Sequence, residues 1–187
     1  MNEFWKDRNV LVTGSSGFVG SWVVDKLVEL GASVVGYDRN GPTMKGHRKS
    51  WTVKQFDYCI GCLTSLRELS CALEVNAIQT VIHLAAQSQV GDALKNPLET
   101  FSNNVRGTYN LLESVRLYNP HTQVIVASSD KAYGECQTLP YTEDTPLRGI
   151  NVYDCSKACT DLISQCYART YGLPVAIARM GNIYGGG

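Results

Sequence analysis

The feature that most constrains this chain is a glycine-rich turn between an apolar strand and a helix. The run Val10-Leu11-Val12 is typical of a buried strand, and glycines follow it at positions 14, 17 and 20. Glycine permits a tight turn, a close approach of the backbone to a ligand, and close packing of the helix on the strand. The dipole and the free N–H groups at the start of that helix attract an anion. The turn therefore predicts a pyrophosphate site formed by Gly14, Ser16, Gly17, Phe18, Val19 and Gly20.

The residues that follow this turn fit a dinucleotide site. Apolar residues recur at helical spacing up to Gly31, and a second strand over 33–37 leads to Asp38. A carboxylate about twenty residues past such a turn can accept both hydroxyls of a ribose. An acid there repels a 2′-phosphate and favours NAD. Arg39 beside it could accommodate that phosphate, so NADP stays an alternative. The alternative is an ordinary βαβ unit with a glycine-rich turn.

Strands alternate with helices along the chain. This order predicts one α/β domain over residues 1–187, with a doubly wound parallel sheet and helices on both faces. The third strand is expected over 51–56, ending at Asp57. A long helix is expected to begin at Pro97, with an apolar face formed by Phe101, Val105, Tyr109, Leu112 and Val115.

Polar residues follow several predicted strands at the points where they end. Because ligands of parallel sheets bind beyond the carboxyl ends of the strands, we expect one crevice there. Its walls are expected to include Asp38, Asp57, residues 85–87 and residues 128–131. His83 lies inside the apolar end of the fourth strand, so it is predicted to be structural rather than a general base.

Tyr153 and Lys157 are four residues apart and lie on one face of a predicted helix. A nearby cation favours phenolate and lowers the pKa of tyrosine, which predicts a base that acts near neutral pH. Such a pair also fits an ordinary exposed helix face. The pair follows a predicted cofactor-binding turn and a serine, Ser129, at the end of a predicted strand. This position in the sequence favours the catalytic interpretation.

Charge and composition argue against several classes of partner. The 17 Lys and Arg residues balance the 17 Asp and Glu residues and are scattered, so a nucleic-acid footprint is not supported. No apolar run approaches the roughly 20 residues of a membrane helix, and no signal peptide opens the chain. The seven cysteines are an odd number without a second zinc-type pair, which indicates reduced thiols and no metal. A cytoplasmic location is expected.

Taken together, five motifs resemble those of the extended short-chain dehydrogenase/reductase family. They are Thr13-Gly14-x-x-Gly17-Phe18-x-Gly20, His83-Leu84-Ala85-Ala86-Gln87, Asn104-Val105-x-Gly107-Thr108, Ser129-Asp130-Lys131-x-Tyr133-Gly134 and Tyr153-x-x-x-Lys157. They occur in the family's order over essentially the whole chain. Within the family, the chain is most similar to sugar-nucleotide epimerases and dehydratases. It resembles CDP-glucose 4,6-dehydratases most in Phe4-Trp5, Gly20-Ser21-Trp22, Asp130-Lys131 and Gly181-Asn182-x-x-Gly185-Gly186-Gly187.

The resemblance implies a Rossmann-type fold and an NAD-dependent 4,6-dehydration of a nucleotide sugar. It implies that Tyr153 takes the proton of the sugar 4-hydroxyl, that Lys157 binds the nicotinamide ribose, and that Ser129 hydrogen-bonds the 4-oxygen. Asp130 would protonate the leaving 6-hydroxyl. Lys131 stands where dTDP-glucose dehydratases carry Glu, and it would act as a base or stabilise the enolate as a cation.

The resemblance also implies further contacts. To the cofactor it assigns Leu84, Ala85, Ala86, Asn104, Asp57 and Tyr58, the last two at the adenine; to the substrate it assigns Gln87, Ser129 and Asn182. Plain structural roles stay open for three of these polar residues: a turn cap for Asp130, a polar helix position for Asn104, and a turn former for Asn182. Relatives are longer, form homodimers, and carry a C-terminal substrate domain that would begin at about 180–187.

Two other functions remain open at this point. A 4-epimerase uses the same tyrosine, serine and cofactor but does not need Asp130, so the Asp130-Lys131 pair favours dehydration. A non-catalytic dinucleotide-binding fragment would have no use for Tyr153 and Lys157 together with Ser129.

Overall fold

A computed structural model describes residues 3–41, 56–135 and 139–185, which form one six-stranded parallel sheet. The strands are β1 Asn9–Thr13, β2 Ser33–Asp38, β3 Asp57–Ile60, β4 Thr80–His83, β5 Gln123–Ser129 and β6 Val175–Met180. Their order is β3-β2-β1-β4-β5-β6, and every neighbouring pair is parallel. The order reverses between β1 and β4, which is where sheets of this kind bind their ligands. The predicted doubly wound sheet is confirmed.

Helices cover both faces of this sheet. They are α1 Phe18–Glu29, α2 Leu66–Val75, α3 Val90–Lys95, α4 Pro97–Phe101, α5 Gly107–Tyr118 and α6 Val152–Tyr171. A π-helical segment, Ser102–Arg106, joins α4 to α5, and a 3₁₀ turn, Asp130–Tyr133, follows β5. None of the helices in the described part of the chain has the length and apolar character needed to cross a membrane.

The apolar run of β1 is buried on both faces. Val10 and Val12 pack with Val24 and Leu27 of α1, whereas Leu11 belongs to the larger core on the opposite face. That larger core contains residues of α2 and α5, with α6 packed against it. Alternate side chains of a strand point to opposite faces, so burial on both explains why this strand reads as an unbroken apolar run.

The third strand differs from the sequence prediction. Residues 51–55 lie outside the described residues, and the strand that pairs with β2 begins at Asp57, opposite Val35. Its carboxyl end is Ile60, opposite Asp38, so Asp57 lies at the amino edge of the sheet. The prediction that Asp57 ends the third strand and lines the crevice is therefore wrong. β3 is an edge strand whose residues are all at least partly exposed, so no apolar run marks it in the sequence.

The helix predicted from Pro97 is interrupted by the π-helical segment, which shifts its buried face. Thr100, Asn104 and Thr108 are buried, whereas Tyr109 of the predicted apolar face is 40% exposed. Beyond the segment, Leu112 and Val115 are fully buried as predicted. A π-helical turn is wider than an α-helical turn, so a regular helical period cannot be carried through it.

Candidate active site

The turn after β1 presents backbone N–H groups to a large cavity. Gly14 has a φ of +72°, in the left-handed region, and a Cβ there would lie 2.8 Å from the backbone nitrogen of Ala85. Gly17 precedes α1, which has no side-chain cap and no acidic residue in its first turn. The first N–H groups of a helix have no partner within it, so this turn can bind an anion.

The cavity has a volume of about 920 Å³ and follows the carboxyl edge of the sheet. Most of the predicted site residues line it, namely Gly14, Ser16, Gly17, Phe18, Val19, Gly20, Asp38, Arg39, Leu84, Ala85, Ala86, Gln87, Ser129, Lys131, Tyr153, Lys157 and Asn182. Four predicted residues are not among those that line it, namely Asp57, Tyr58, Asn104 and Asp130. The structure thus brings the glycine turn to one site with Ser129, Tyr153 and Lys157, which we call the Ser–Tyr–Lys group.

Gly61 and Leu63 occupy the place in the cavity wall that the sequence prediction gave to Asp57. They follow the carboxyl end of β3, whereas Asp57 begins that strand. Sequence reasoning missed them because it placed the third strand too early. The glycine directly after Ile60 is the signal that could have located them. Other lining residues that the prediction did not include are Tyr37, Ser88, Gln89, Val90, Asn103, Ala127, Met180, Gly181 and Ile183.

Asp38 is held at the end of β2 by three donors that share one of its oxygens. Ser15 Oγ, Ser16 N and Tyr58 Oη donate to Asp38 Oδ2 over 2.6, 3.0 and 2.8 Å. Within the described part of the chain, no donor bonds Oδ1. Tyr58, which was predicted at the adenine, therefore acts on the acid that was predicted to bind the ribose.

Lys157 reaches from α6 to the carboxyl end of β5. The residue is 5% exposed, and its Nζ donates to the carbonyl oxygen of Ala127 over 2.7 Å. Burial lowers the pKa of Lys157 to about 8. The ammonium is thus fixed by the sheet backbone on the cavity wall.

Tyr153, one turn before Lys157, has a pKa above its usual value. Burial is the largest cause, the charges of Asp130 and Asp154 add to it, and a hydrogen bond with Ser129 opposes it. The prediction of a lowered pKa for Tyr153 is therefore wrong for the polypeptide by itself, because burial is the dominant cause. Ser129 and Tyr153 line the same cavity, as the proposed roles of these two residues require.

The 3₁₀ turn after β5 contains the oppositely charged residues Asp130 and Lys131. Ser129 caps this turn, since its Oγ accepts from Lys131 N and also donates to Asp130 Oδ1, both over 3.2 Å. Lys131 Nζ lies 3.8 Å from Asp130 Oδ2. The capping role considered for Asp130 thus belongs to Ser129.

Asn104 lies in the π-helical segment, behind the cavity wall. Its Oδ1 accepts from Gln87 N over 2.7 Å, and its Nδ2 donates to Gln87 O and to Ser156 Oγ over 3.1 and 2.9 Å. Asn104 therefore supports the loop that follows β4 and ties it to α6. Its neighbour Asn103 is the asparagine that lines the cavity.

His83 is buried between two threonine hydroxyls. Its Nδ1 lies 2.7 Å from Thr13 Oγ1, and its Nε2 lies 3.1 Å from Thr108 Oγ1. Burial, followed by the charge of Lys157, lowers the pKa of His83 to about 3. The imidazole is neutral and fully partnered, so the prediction of a structural histidine is confirmed.

The fold and the cavity define a dinucleotide-binding domain with a Ser–Tyr–Lys group at the sheet's carboxyl edge. The family model described as GDP-mannose 4,6 dehydratase matches residues 11–187. The chain therefore belongs to this family, which is one of the extended short-chain dehydrogenases/reductases.

Individual relatives include both dehydratases and epimerases. The chain is 32% identical to a CDP-glucose 4,6-dehydratase of Salmonella typhimurium, over 98% of this chain and 54% of that protein. A UDP-glucose 4-epimerase from Brucella ovis in complex with NAD superposes with a TM-score of 0.85 at 33% identity, over 96% of this chain and 54% of that one. A dTDP-glucose 4,6-dehydratase from Bacillus anthracis in complex with NAD superposes with a TM-score of 0.83 at 30% identity, over 95% of this chain and 56% of that one. The chain thus spans about half the length of these relatives.

Proposed function

We propose that this protein is an NAD-dependent nucleotide-sugar 4,6-dehydratase that converts an NDP-hexose, with CDP-glucose favoured, to a 4-keto-6-deoxy sugar. One observation carries the proposal: Ser129, Tyr153 and Lys157 line the same cavity as the glycine turn and Asp38. The Asp130–Lys131 ion pair adjoins Ser129, and it is the feature that a dehydration needs beyond a simple oxidation.

The cavity wall fits a dinucleotide. The uncapped start of α1 would hold the pyrophosphate, Asp38 Oδ1 would accept from the adenosine ribose, and Lys157 would bind the nicotinamide ribose. We assign NAD rather than NADP because a 2′-phosphate would lie against the Asp38 carboxylate. Arg39, which could offset that charge, forms an ion pair with Glu99 over 3.5 Å.

When bound, oxidised NAD supplies a hydride acceptor and a positive charge, while the protein's own residues handle the protons. Tyr153 removes the proton of the sugar 4-hydroxyl, and Ser129 Oγ hydrogen-bonds the same oxygen. A phenol whose pKa is raised by burial needs a cation nearby to act as a base. The buried Lys157 and a bound cofactor cation together would meet that need.

The second half of the reaction falls to the 3₁₀ turn. With the proton of the pair on the Asp130 carboxyl, the neutral Lys131 amine takes the C5 proton while Asp130 gives its proton to the 6-hydroxyl, which departs as water. Lys131, protonated in this step, stabilises the negative charge of the enolate as a cation, a role that suits an ammonium group held beside a carboxylate. The hydride taken from C4 would then return to C6 and a proton to C5, so the whole reaction is redox-neutral.

A 4-epimerase is the second candidate, and one observation favours it. Asp130 does not line the cavity, whereas the three residues that both reactions share do line it. In that case Asp130 would serve only to orient Lys131 and Ser129.

The test is incubation with NAD and CDP-, dTDP-, UDP- and GDP-hexoses, followed by mass spectrometry and the alkaline absorbance of 4-keto sugars. We expect a product lighter by one water, which is lost in Tyr153→Phe and in Asp130→Asn. General acid or base catalysis contributes about 10²–10⁴-fold, so each variant should lose at least a hundredfold in rate. Tyr167→Phe and Asp144→Asn are the matched controls, since Tyr167 bonds Glu113 far from the cavity and Asp144 is exposed.

The products separate the candidate functions. An isomer of unchanged mass that still forms in Asp130→Asn identifies a 4-epimerase. NAD binding without turnover of any sugar nucleotide identifies this chain, by itself, as a dinucleotide-binding fragment.

We also propose the wider setting of this site. We propose a homodimer that forms through the helices within residues 97–119 and within residues 151–171. Exposed apolar side chains on α4 and α6, such as Leu98 and Leu162, support it. We propose a single dinucleotide-binding domain over residues 1–187, within which a substrate-binding region begins at about 180–187. Residues 180–183 line the cavity, which supports this start. The six cysteines in the described part of the chain are free thiols, which supports a cytoplasmic location.

A further inference from the structure

The three donors on Asp38 carry an inference about how the protein distinguishes cofactors. We propose that Tyr58 is a positioning residue that sets the selectivity for NAD over NADP, by fixing the orientation of the Asp38 carboxylate. This proposal about Tyr58 rests on the assignment of NAD in the proposed function, and it does not depend on the reaction of the sugar.

The contact between Tyr58 and Asp38 requires a gap in the strand between them. Gly36 lies opposite Tyr58 in the sheet and two residues before Asp38. A Cβ at Gly36 would lie 2.6 Å from Ser15 Oγ and 2.9 Å from the Tyr58 ring. Both side-chain donors therefore reach the carboxylate across the face of β2 that glycine leaves uncovered.

Each of these donors is held in its donor role. Ser15 is fully buried, and its Oγ lies 2.6 Å from Asp38 Oδ2. Burial, followed by the bond to Asp38, raises the pKa of Tyr58 well above its usual value. The phenol stays protonated throughout the physiological range, so it is a permanent donor. Ser16 contributes a backbone N–H, which has no other state.

A carboxylate whose Oδ2 is occupied in this way cannot rotate without breaking three hydrogen bonds. Asp38 Oδ1 is then the oxygen left for a ribose hydroxyl, and its charge stays where a 2′-phosphate would lie. Without Tyr58 Oη, the carboxylate could turn to relieve that repulsion and would hold the ribose hydroxyl less well. Removing the phenol hydroxyl should thus weaken NAD binding more than NADP binding.

The experiment is calorimetric titration of NAD and of NADP into the wild type and Tyr58→Phe, which keeps the ring. A hydrogen bond to a charged group contributes enough for about a tenfold effect. We expect Kd for NAD to rise about tenfold and the ratio of the NADP to the NAD Kd to fall by a similar factor. Tyr167→Phe loses a matched tyrosine–carboxylate bond on the surface of α5 and α6, and should change neither Kd.

A double variant tests whether Tyr58 acts through Asp38. Asp38→Asn should lower the selectivity ratio, and adding Tyr58→Phe to it should cause no further fall. Equal weakening of both cofactors in Tyr58→Phe, or no change in either, would overturn the inference and leave the proposed function intact. A wild type that binds neither cofactor would overturn both.

Discussion

The ion pair between α6 and β6 gives the sharpest test of how the carboxyl end of the sheet is held together. Asp161 is fully buried and accepts from Arg179 Nε and Nη2 over 2.8 and 3.1 Å, and from Gln165 Nε2 over 2.7 Å. Arg179 Nη1 also donates to Tyr133 Oη and to Glu143 O over 2.9 and 2.8 Å. One guanidinium therefore joins α6, β6, the 3₁₀ turn and the loop that follows it.

Asp161 is fully buried, whereas the side chain of Arg179 is 18% exposed. Removal of one partner of a buried pair destabilises proteins by about 3–5 kcal/mol, because the other charge loses its counterpart. For a domain of this size, each kcal/mol lowers the melting temperature by about 2–4 °C. We therefore expect Asp161→Asn to lower the melting temperature by roughly 6–20 °C. The double variant Asp161→Leu/Arg179→Met should be less destabilised than either single variant, because it buries no unpaired charge.

The same pair makes stability depend on pH in a defined direction. Burial by itself would raise the pKa of Asp161, but the hydrogen bonds from Arg179, Gln165 and Ser128 and the charge of Arg179 outweigh it, so the pKa is lowered. The stabilisation is therefore present above the unfolded pKa of about 3.9, and it is lost as the pH falls through the lower folded value. Asp161→Asn should lack this contribution to acid sensitivity.

Urea unfolding followed by circular dichroism measures the loss directly. The control is Lys26→Met, which removes an exposed ion pair of 2.9 Å with Glu29, where both side chains are about two-thirds exposed. Such pairs contribute less than about 1 kcal/mol. If Asp161→Asn lowers the free energy of unfolding no more than Lys26→Met does, the account of the buried pair is refuted.

Two further predictions concern the centre of the sheet. The unfolded chain takes up a proton on histidine near pH 6.5, whereas His83 in the fold has a pKa of about 3, so stability should fall by about 1 kcal/mol from pH 6.5 to 5.5. His83→Gln should reduce this slope and the exposed His121→Gln should not; equal slopes for wild type and His83→Gln would contradict the assignment. Gly14→Ala should weaken NAD binding at least tenfold, because a left-handed residue would gain a Cβ against the backbone of Ala85. Gly91→Ala, where a Cβ meets nothing within 4 Å, should bind NAD as the wild type does, and unchanged binding by Gly14→Ala would refute the steric reason.

The parts of the site that could be predicted from sequence are those whose chemistry is local. The turn at Gly14 to Gly20, the acid at Asp38 and the Tyr153–Lys157 face each need only one element and its end. A parallel sheet then brings these ends to one edge, which is why most of the predicted residues line one cavity. Gly61 was missed because an edge strand carries no apolar run to mark its position.

The relations between elements could not be read from residue spacing. The spacing of Tyr153 and Lys157 predicts a shared helix face, yet it does not predict that Lys157 Nζ bonds Ala127 O or that burial raises the pKa of Tyr153. In the same way, Tyr58 follows Asp57 directly, but the register of β3 sends their side chains to different environments, and only Tyr58 reaches Asp38. The electrostatics of this site are thus set by the register and depth of neighbouring strands. For that reason the decisive experiments on it are those that remove one hydroxyl or one charge and keep the packing.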